Sequence, residues 1–408
     1  MTNNVKKVLH IAPTPFFADR GCHIRIRGIA LALEELGVDS LVCTYPIGRD
    51  VKGVQTKRTV GIPGYSKTAS GPSAYKYLAD VLLMFTVARQ LWKYRPDILH
   101  CHLHEGLLIG WVAKLLVFRW RMPLVFDMQG SLTGELTAHG YFAGRSRFKK
   151  AFEFMERRIV ALADFYFCSS EASEALLGGV FNVDPARVIL VRDGVDVIDA
   201  AVATAIEPPP AGDDVATAIY TGGLTESKGI GALQEVLVEA DRRNLPVKFV
   251  IVGYPNQDLQ DYVIANGIQD RCVLTGQVPY EQLKQYLELA DVALEPKSAG
   301  SGEASGKVVN YMAIGLPVVC FDTSNNREML GPYGYFAESE TPGAFVEQLE
   351  LALSQPDDAR ERGLAGKERA SARFSWRAGA EAIMNGYALA QSRGTTSRQD
   401  DRREKETG

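Results

Sequence analysis

The sequence has few of the features that mark a secreted, metal-binding or membrane-spanning chain. Its six cysteines are scattered, with no C-x-x-C pair, which is typical of small core residues in a reducing cytosol. The N-terminal apolar run is only strand-length and has no cleavage pattern, so secretion is not expected. The apolar stretch 106–120 is shorter than the roughly 20 residues of a spanning helix, and Lys114 and Arg119 interrupt it. A buried helix and a helix lying on a membrane surface both fit this stretch.

An excess of positive charge is also missing. The 408 residues carry a formal net charge of −4, which gives no electrostatic case for a nucleic-acid partner. With 46% hydrophobic and 23% charged residues, the composition is that of a globular protein, and the length is large for one hydrophobic core. The composition therefore predicts two domains.

Short β-rich runs alternate with amphipathic helical segments along the chain, which predicts doubly wound α/β domains. The pattern stops in a segment with three consecutive prolines and then begins again. The predicted units are a first domain at 1–197, a linker at 198–215, a second domain at 216–374, a last helix at 375–391 that joins the first domain, and a disordered tail at 392–408.

The loops after the strands should carry the functional residues, because open α/β sheets bind ligands at the carboxyl ends of their strands. The loop after the first strand contains no G-x-G-x-x-G, which argues against a dinucleotide enzyme. Gly21 stands there before a helix instead. It either lets backbone N–H groups face a phosphate or sugar hydroxyl, or relieves a tight turn.

Two loops of the second domain combine glycines or small residues with a lysine. Gly222 and Gly223 follow a strand and precede Lys228, which is well placed for a diphosphate. Small residues between 298 and 306 precede a helix that has Lys307 in its first turn. A lysine there opposes the helix dipole, so this segment is either a cradle for anionic oxygens or a solvated loop.

The motifs G-G-L-x3-K-G, A-D-V-x-L-x-P and G-K-V-V-N-Y-M-A-I-G-L-P-V-V occur here in that order, and in this order they resemble glycosyltransferase family 4. The resemblance covers nearly the whole chain. It implies the GT-B fold, in which two Rossmann-like domains face each other across a cleft. It also implies retaining transfer of a hexose-type sugar from a nucleotide diphosphate-sugar, bound mainly by the second domain, to an acceptor hydroxyl bound mainly by the first. The acceptor is a glycan, a lipid-linked compound or a small molecule, and no cofactor is expected besides the donor.

The resemblance also implies a set of donor-binding residues. They are Gly21, Gly222, Gly223, Lys228, Gly302, Glu303, Ser305, Gly306, Lys307 and Asn310. The family's usual pair of glutamates falls on Gly302 and Asn310, so Glu303, one residue later, is expected to face the sugar, while Asn310 addresses the ribose. Gly223 stands where the family frequently has an arginine. Our hypothesis is that Lys307 supplies the missing positive charge.

The predicted acceptor side begins at a strand end of the first domain. Gln129 replaces a histidine that many relatives carry there, and Asp127 either takes part in catalysis or caps the following turn. His104 and Glu105 are expected to line the cleft. The predicted catalytic residues are Asp127, Lys228 and Glu303.

Alternate histidines at 100, 102 and 104 suggest a zinc site, but no further ligand has a matching spacing, and no metal is predicted. Two other functions stay open, a sugar-nucleotide 2-epimerase and a non-catalytic nucleotide-sugar-binding homologue. The expected location is the cytoplasm, with peripheral contact at the inner membrane face as an open alternative.

Overall fold

The computed structural model describes residues 5–68, 74–138, 141–142, 146–194, 215–298 and 305–406. Side chains are described in these ranges except at 135, 138, 227 and 393–406. Most of the predicted linker, and the predicted site residues Gly302 and Glu303, lie outside the described residues.

The first described sheet has seven parallel strands in the order β3-β2-β1-β4-β5-β6-β7. The strands are β1 (Lys7–Ala12), β2 (Asp39–Thr44), β3 (Gln55–Arg58), β4 (Ile98–His102), β5 (Leu124–Met128), β6 (Phe165–Cys168) and β7 (Val188–Leu190). Its helices are α1 (Gly21–Glu35), α2 (Ala74–Lys93), α3 (Leu103–Leu116), α4 (Leu132–Ala138), α5 (Ser146–Val160) and α6 (Glu171–Gly179). Continuous apolar runs form the central strands because both faces of the sheet are covered by helices.

Alternate residues of each strand face opposite helix layers. Val8 and Ile98 pack with α1 on one face, and Leu9 and Leu99 pack with α2 and α3 on the other. The last helix, α14 (Trp376–Glu406), returns to this sheet and lies beside α1. Gly28 permits that approach, since a Cβ there would lie 2.2 Å from the Trp376 ring.

The second described sheet has six parallel strands in the order β10-β9-β8-β11-β12-β13. They are β8 (Ala216–Thr221), β9 (Val247–Val252), β10 (Cys272–Gly276), β11 (Val292–Glu295), β12 (Val318–Phe321) and β13 (Tyr335–Ala337). The helices are α7 (Ile230–Arg242), α8 (Gln257–Ala265), α9 (Leu283–Leu287), α10 (Gly306–Ile314), α11 (Ser324–Leu330), α12 (Pro342–Ser354) and α13 (Pro356–Arg373). One buried apolar cluster contains Phe17 and Ile26 of the first domain and Tyr280 and Val309 of the second.

The structure confirms the predicted fold class of two doubly wound α/β domains. Helix α14 continues to Glu406, through most of the segment predicted to be a disordered tail, and the predicted domain bounds stay predictions. Arg, Gln, Glu and Lys are abundant in that segment and are good helix formers. Among the described residues, none of the helices is both long and apolar enough to cross a membrane.

Candidate functional site

The carboxyl ends of the two sheets meet at the loop after β1. In this loop the Ala18 carbonyl accepts a hydrogen bond from the Tyr254 hydroxyl (3.2 Å), and the Asp19 carboxylate accepts one from the Tyr280 backbone N–H (2.9 Å). Arg49 forms an ion pair with Asp19 (2.6 Å) and another with Glu281 (2.9 Å). These contacts hold the start of α1 against the loops of the second domain.

The predicted glycine pair after β8 lies beside both predicted lysines. A Cβ at Gly222 would lie 3.8 Å from Lys307 Cδ, and one at Gly223 would lie 4.0 Å from Lys228 Cγ. Both glycines are exposed, but the Gly222 N–H donates to the Val252 carbonyl (2.9 Å), so the Gly223 N–H is the donor left for a ligand. The geometry therefore brings four of the predicted donor residues together at the edge of the second sheet.

Lys307 is less available as a free charge than the sequence suggested. Its ammonium group is 2.6 Å from Oε2 of Glu295, which is fully buried, and it lies 4.0 Å from the centre of the Tyr220 ring. The hydroxyl of Ser305 donates to the other oxygen of Glu295 (2.7 Å). Lys307 thus first neutralises a buried carboxylate, and its proposed contact with phosphate stays a prediction.

The helices that begin at Gly21 and Gly306 have no side-chain cap from the residue before them, Arg20 and Ser305 respectively. A Cβ at Gly21 would meet no described atom within 4 Å. At Gly306 a Cβ would lie 3.2 Å from the carboxylate of Asp193. Asn310, one turn later, is buried, and its side-chain oxygen accepts a hydrogen bond from the Tyr280 hydroxyl (3.2 Å).

Asp127 lies under the predicted acceptor side rather than on its surface. The carboxylate is fully buried and receives a two-pronged contact from Arg25, with a shortest N–O distance of 2.7 Å. It also contacts His102 Nδ1 (3.0 Å) and accepts a hydrogen bond from the side-chain amide of Gln129 (3.0 Å). Burial opposes its charge, but Arg25 and His102 outweigh that effect and hold the pKa of Asp127 well below its ordinary value.

This arrangement makes Gln129 the partly exposed group that is hydrogen-bonded to Asp127. Because the amide nitrogen donates to Asp127, the side-chain oxygen of Gln129 is left as a hydrogen-bond acceptor for another group. Gln129 is partly exposed, whereas Asp127 has no exposed surface. The geometry favours a positioning role for Asp127, and its predicted catalytic role stays a prediction.

The three histidines of the sequence pattern do not share one face. Strand β4 ends at His102, and α3 begins at Leu103, so His104 points elsewhere. His10 of β1 joins His100 and His102 instead, with ring nitrogens of all three within 4.8 Å of one another. His10 contacts His102 (3.0 Å), and His100 contacts the Tyr387 hydroxyl of α14 (2.7 Å). Burial is the main cause that lowers the pKa of both His10 and His100.

A cavity of about 650 Å³ lies between the two domains. Its lining from the first domain includes residues of α4, α5 and α6, and its lining from the second includes Glu226, Gly229, Lys297 and Ser298. His104 and Glu105, expected to line the cleft, are not among its lining residues. His104 contacts the wall residue Glu156 (3.2 Å), and Glu105 forms an ion pair with Lys76 of α2.

Glu156 is a wall residue that the sequence did not single out. It is almost fully buried, and it accepts hydrogen bonds from the backbone N–H groups of Leu132 (2.7 Å) and Thr133 (3.1 Å) at the start of α4. Burial opposes its charge, but His104 and Thr133 outweigh burial and lower its pKa from 4.5 to about 2. One glutamate on an amphipathic helix is usually a solvated group, so nothing in the pattern of α5 marked it.

Comparison with known proteins places these features in one class, the two-domain glycosyltransferases. A glycosyl transferase 4-like domain matches residues 20–194, and a glycosyl transferases group 1 domain matches residues 203–369. The chain belongs to this family of GT-B glycosyltransferases, which use nucleotide sugars, and the predicted family resemblance is confirmed.

The individual relatives have low sequence identity to this chain. A D-inositol 3-phosphate glycosyltransferase from Gordonia bronchialis is 27% identical over 72% of this chain and 66% of its own length, and one from Kineococcus radiotolerans is 24% identical over 91% and 90%. Sucrose-phosphate synthase from Thermosynechococcus elongatus shares the fold with a TM-score of 0.75 and 20% identity, over 97% of this chain and 98% of that one. Anabaena HepE, solved with UDP and glucose, has a TM-score of 0.71 and 16% identity. The match covers 94% of this chain and 99% of that one.

Replacing Asp127 with asparagine should lower the free energy of unfolding by about 3 kcal/mol, because Arg25 would keep a buried charge without its main partner. Urea unfolding of Asp127→Asn measures the change. The matched control is Asp322→Asn, which removes one partner of the exposed pair with Arg327 and should change stability by less than about 1 kcal/mol. Equal losses in the two variants would contradict the structural role of the buried pair.

Glu156 should make the free energy of unfolding depend on pH in the acidic range. Its pKa is lowered by folding, so its contribution is present above about 4.5 and is lost as the pH falls towards 2. We expect Glu156→Gln to be about 3 kcal/mol less stable than the unchanged protein at neutral pH, and the difference should shrink through that window. Urea titrations at several pH values measure it. Glu153→Gln, at a half-exposed glutamate of the same helix, should differ by less than about 0.5 kcal/mol throughout.

Proposed function

We propose that the protein transfers a hexose-type sugar from a nucleotide diphosphate-sugar to an acceptor hydroxyl with retention of anomeric configuration. The observation that carries the donor half of this proposal is the exposed backbone of Gly222 and Gly223, with Lys228 and Lys307 beside it. The Gly222 N–H donates to the Val252 carbonyl (2.9 Å), so the Gly223 N–H is the one that would meet a ligand. A backbone N–H next to lysines suits an oxygen of a diphosphate. A structural neighbour named above, Anabaena HepE, was solved with UDP and glucose, which supports a donor of this kind.

Gly21 supports the same assignment. Its φ is not in the left-handed region, and no described atom would crowd a Cβ there, so the chain itself does not require glycine at this position. A missing side chain there leaves room for a ligand at the first turn of α1. The positive ends of α1 and α10 would then add to the stabilisation of an anionic leaving group.

In the proposed reaction the bond between the anomeric carbon and the diphosphate breaks, and the acceptor oxygen bonds to the same face of that carbon. The acceptor proton passes to an oxygen of the leaving diphosphate, whose charge Lys228 stabilises. Gln129, held by Asp127, accepts a hydrogen bond from a hydroxyl of the bound sugar or acceptor. The cavity of about 650 Å³ beside α4 and α5 would hold the acceptor, which we propose is a glycan, a lipid-linked compound or a small molecule.

Incubation with UDP-, GDP- and ADP-sugars, with and without candidate acceptor alcohols, tests the reaction. Thermal shift first selects the nucleotide, since a bound donor raises the melting temperature. Proton NMR of the product should then show the anomeric configuration of the donor. An inverted product would contradict retention. Conversion of the donor sugar without any acceptor would instead establish an epimerase, and donor binding without turnover would establish a non-catalytic homologue.

Lys228→Ala should weaken donor binding about tenfold to a hundredfold, because it removes a charged hydrogen bond to the diphosphate. Isothermal titration with the selected donor measures the effect, and Lys284→Ala, at a lysine of α9 that pairs with Glu288, should leave affinity unchanged. Lys307 needs a paired design, because removing it alone leaves Glu295 buried and unpaired. A loss of affinity in the double variant Lys307→Met, Glu295→Gln supports a phosphate contact. Unchanged affinity in that variant rejects our hypothesis that Lys307 replaces the family's arginine.

A further inference from the structure

The outward face of α2 is apolar where a surface helix is normally polar. Leu78, Val81, Phe85 and Trp92 follow one another along this face at helical spacing, and all are exposed, Trp92 by 69%. Tyr77 beside them is 77% exposed. The inward face of the same helix is also apolar and packs in the core through Leu83 and Val87. Core packing therefore does not explain the outward residues.

The neighbouring helix and the turn after it extend this surface. Helix α3 packs beside α2 and exposes Leu108 and Leu116. In the following turn, Phe118 is 81% exposed, and its ring stacks with that of Trp120, which is also exposed. The apolar stretch noted in the sequence is thus a helix with one side in the core and the other uncovered among the described residues.

Helix α5 completes the layer on the other side of α3. It exposes Phe148, Phe154 and Met155 together with the basic residues Arg147 and Lys150. The guanidinium of Arg158 lies over the Phe154 ring at 5.0 Å. Aromatic rings with Lys and Arg around them are typical of a helix that lies in the interface of a lipid bilayer.

The charge of this layer is opposite to that of the whole protein. Residues 74–93, 103–122 and 146–160 contain eleven Lys and Arg and four Asp and Glu, a formal charge of +7, whereas the whole chain has −4. A surface that combines exposed aromatic residues with this local charge is complementary to anionic lipid headgroups. We propose that α2, α3, the turn 117–122 and α5 bind the surface of an anionic lipid bilayer.

A second copy of the chain fits this surface less well. In a symmetric dimer the same patch would meet itself, and two surfaces of charge +7 would repel each other. Interface cores between proteins are also depleted of lysine. An anionic bilayer offers both the apolar depth for Phe85 and Trp92 and the negative charge for the basic residues.

The proposed lipid surface adjoins the cavity between the domains. Helix α5 supplies Lys149, Glu153 and Arg157 to the cavity wall, while Phe154 and Met155 of the same helix are exposed. A bilayer at this surface would place a membrane-embedded acceptor next to the cavity. Binding to lipid is nevertheless measurable without donor or acceptor, so its failure is distinct from a failure of the proposed transfer reaction.

Sedimentation of the full chain with vesicles tests the proposal. One vesicle contains phosphatidylcholine and phosphatidylglycerol in equal parts, and the other contains phosphatidylcholine alone. We expect binding to the anionic vesicles that weakens as salt is added, and much weaker binding to the neutral ones. The double variant Phe85→Gln, Trp92→Gln should bind at least about tenfold more weakly, because two apolar side chains that would insert into the bilayer are lost. Arg147→Glu, Lys150→Glu should lower binding by at least about fivefold for each charge removed.

Matched controls lie on the second domain. Ile264→Gln, Leu364→Gln removes two exposed apolar side chains from α8 and α13, and Arg360→Glu, Lys367→Glu reverses two charges on α13. Both should bind vesicles like the unchanged protein. The proposal is overturned if the unchanged protein stays in solution with both vesicles, or if the α2 and α5 variants bind as it does. It is also overturned if analytical ultracentrifugation shows a dimer that the α2 variant converts to monomer, because the face would then be an interface between copies.

Discussion

A buried guanidinium, that of Arg25, connects the parts of the first domain that surround the cleft. It extends from the inner face of α1 and donates to Asp127 at the end of β5. It also donates to the Val191 carbonyl (2.8 Å) and to the Asp193 carboxylate (2.8 Å). Three segments far apart in sequence therefore have fixed positions around one charge. Asp193 in turn lies against Gly306, the first residue of α10, so the same network extends to the donor side of the second domain.

The charge balance of this network has a consequence for the site. The Arg25 cluster adds no net positive charge, because two carboxylates surround the one guanidinium. Lys307 is similarly offset by Glu295. A dianionic diphosphate would thus meet few uncompensated cations at these two positions, and the first turn of α1 would contribute to its stabilisation.

Most of the fold was predictable from the sequence, and the reasons are physical. Parallel strands covered on both faces are continuous apolar runs, as at 165–168 and 318–321, which form β6 and β12. Strand β3 gives no such signal, because it lies at the edge of its sheet and has the polar sequence Gln-Thr-Lys-Arg. Strand β13, at the other sheet's edge, has only three residues. Edge strands need no apolar run, so they lack the signal on which the prediction depends.

The candidate site was predictable only in part. The rule that ligands bind at the carboxyl ends of parallel strands selects Gly21, Gly222 and Lys228, which follow β1 and β8 in the structure, and their binding roles stay predictions. The partners of Asp127 were not predictable, because Arg25 lies 102 residues away and nothing local requires a salt bridge. Periodicity along one element specifies which side of it is buried, but it carries no information about which charges meet across the core.

The two surfaces of α5 show how one helix can join the two proposed functions. Glu156 faces the start of α4, where its carboxylate receives backbone N–H groups, so one side of α5 is fixed in the wall of the cavity. The other side presents Phe154 beneath Arg158 to the exterior. A helix held rigidly on one side can press its aromatic side against a lipid surface without moving the cavity wall. An acceptor anchored in that surface would then approach the cavity at a depth set by α5, and the fixed side of the helix is what would make that depth constant.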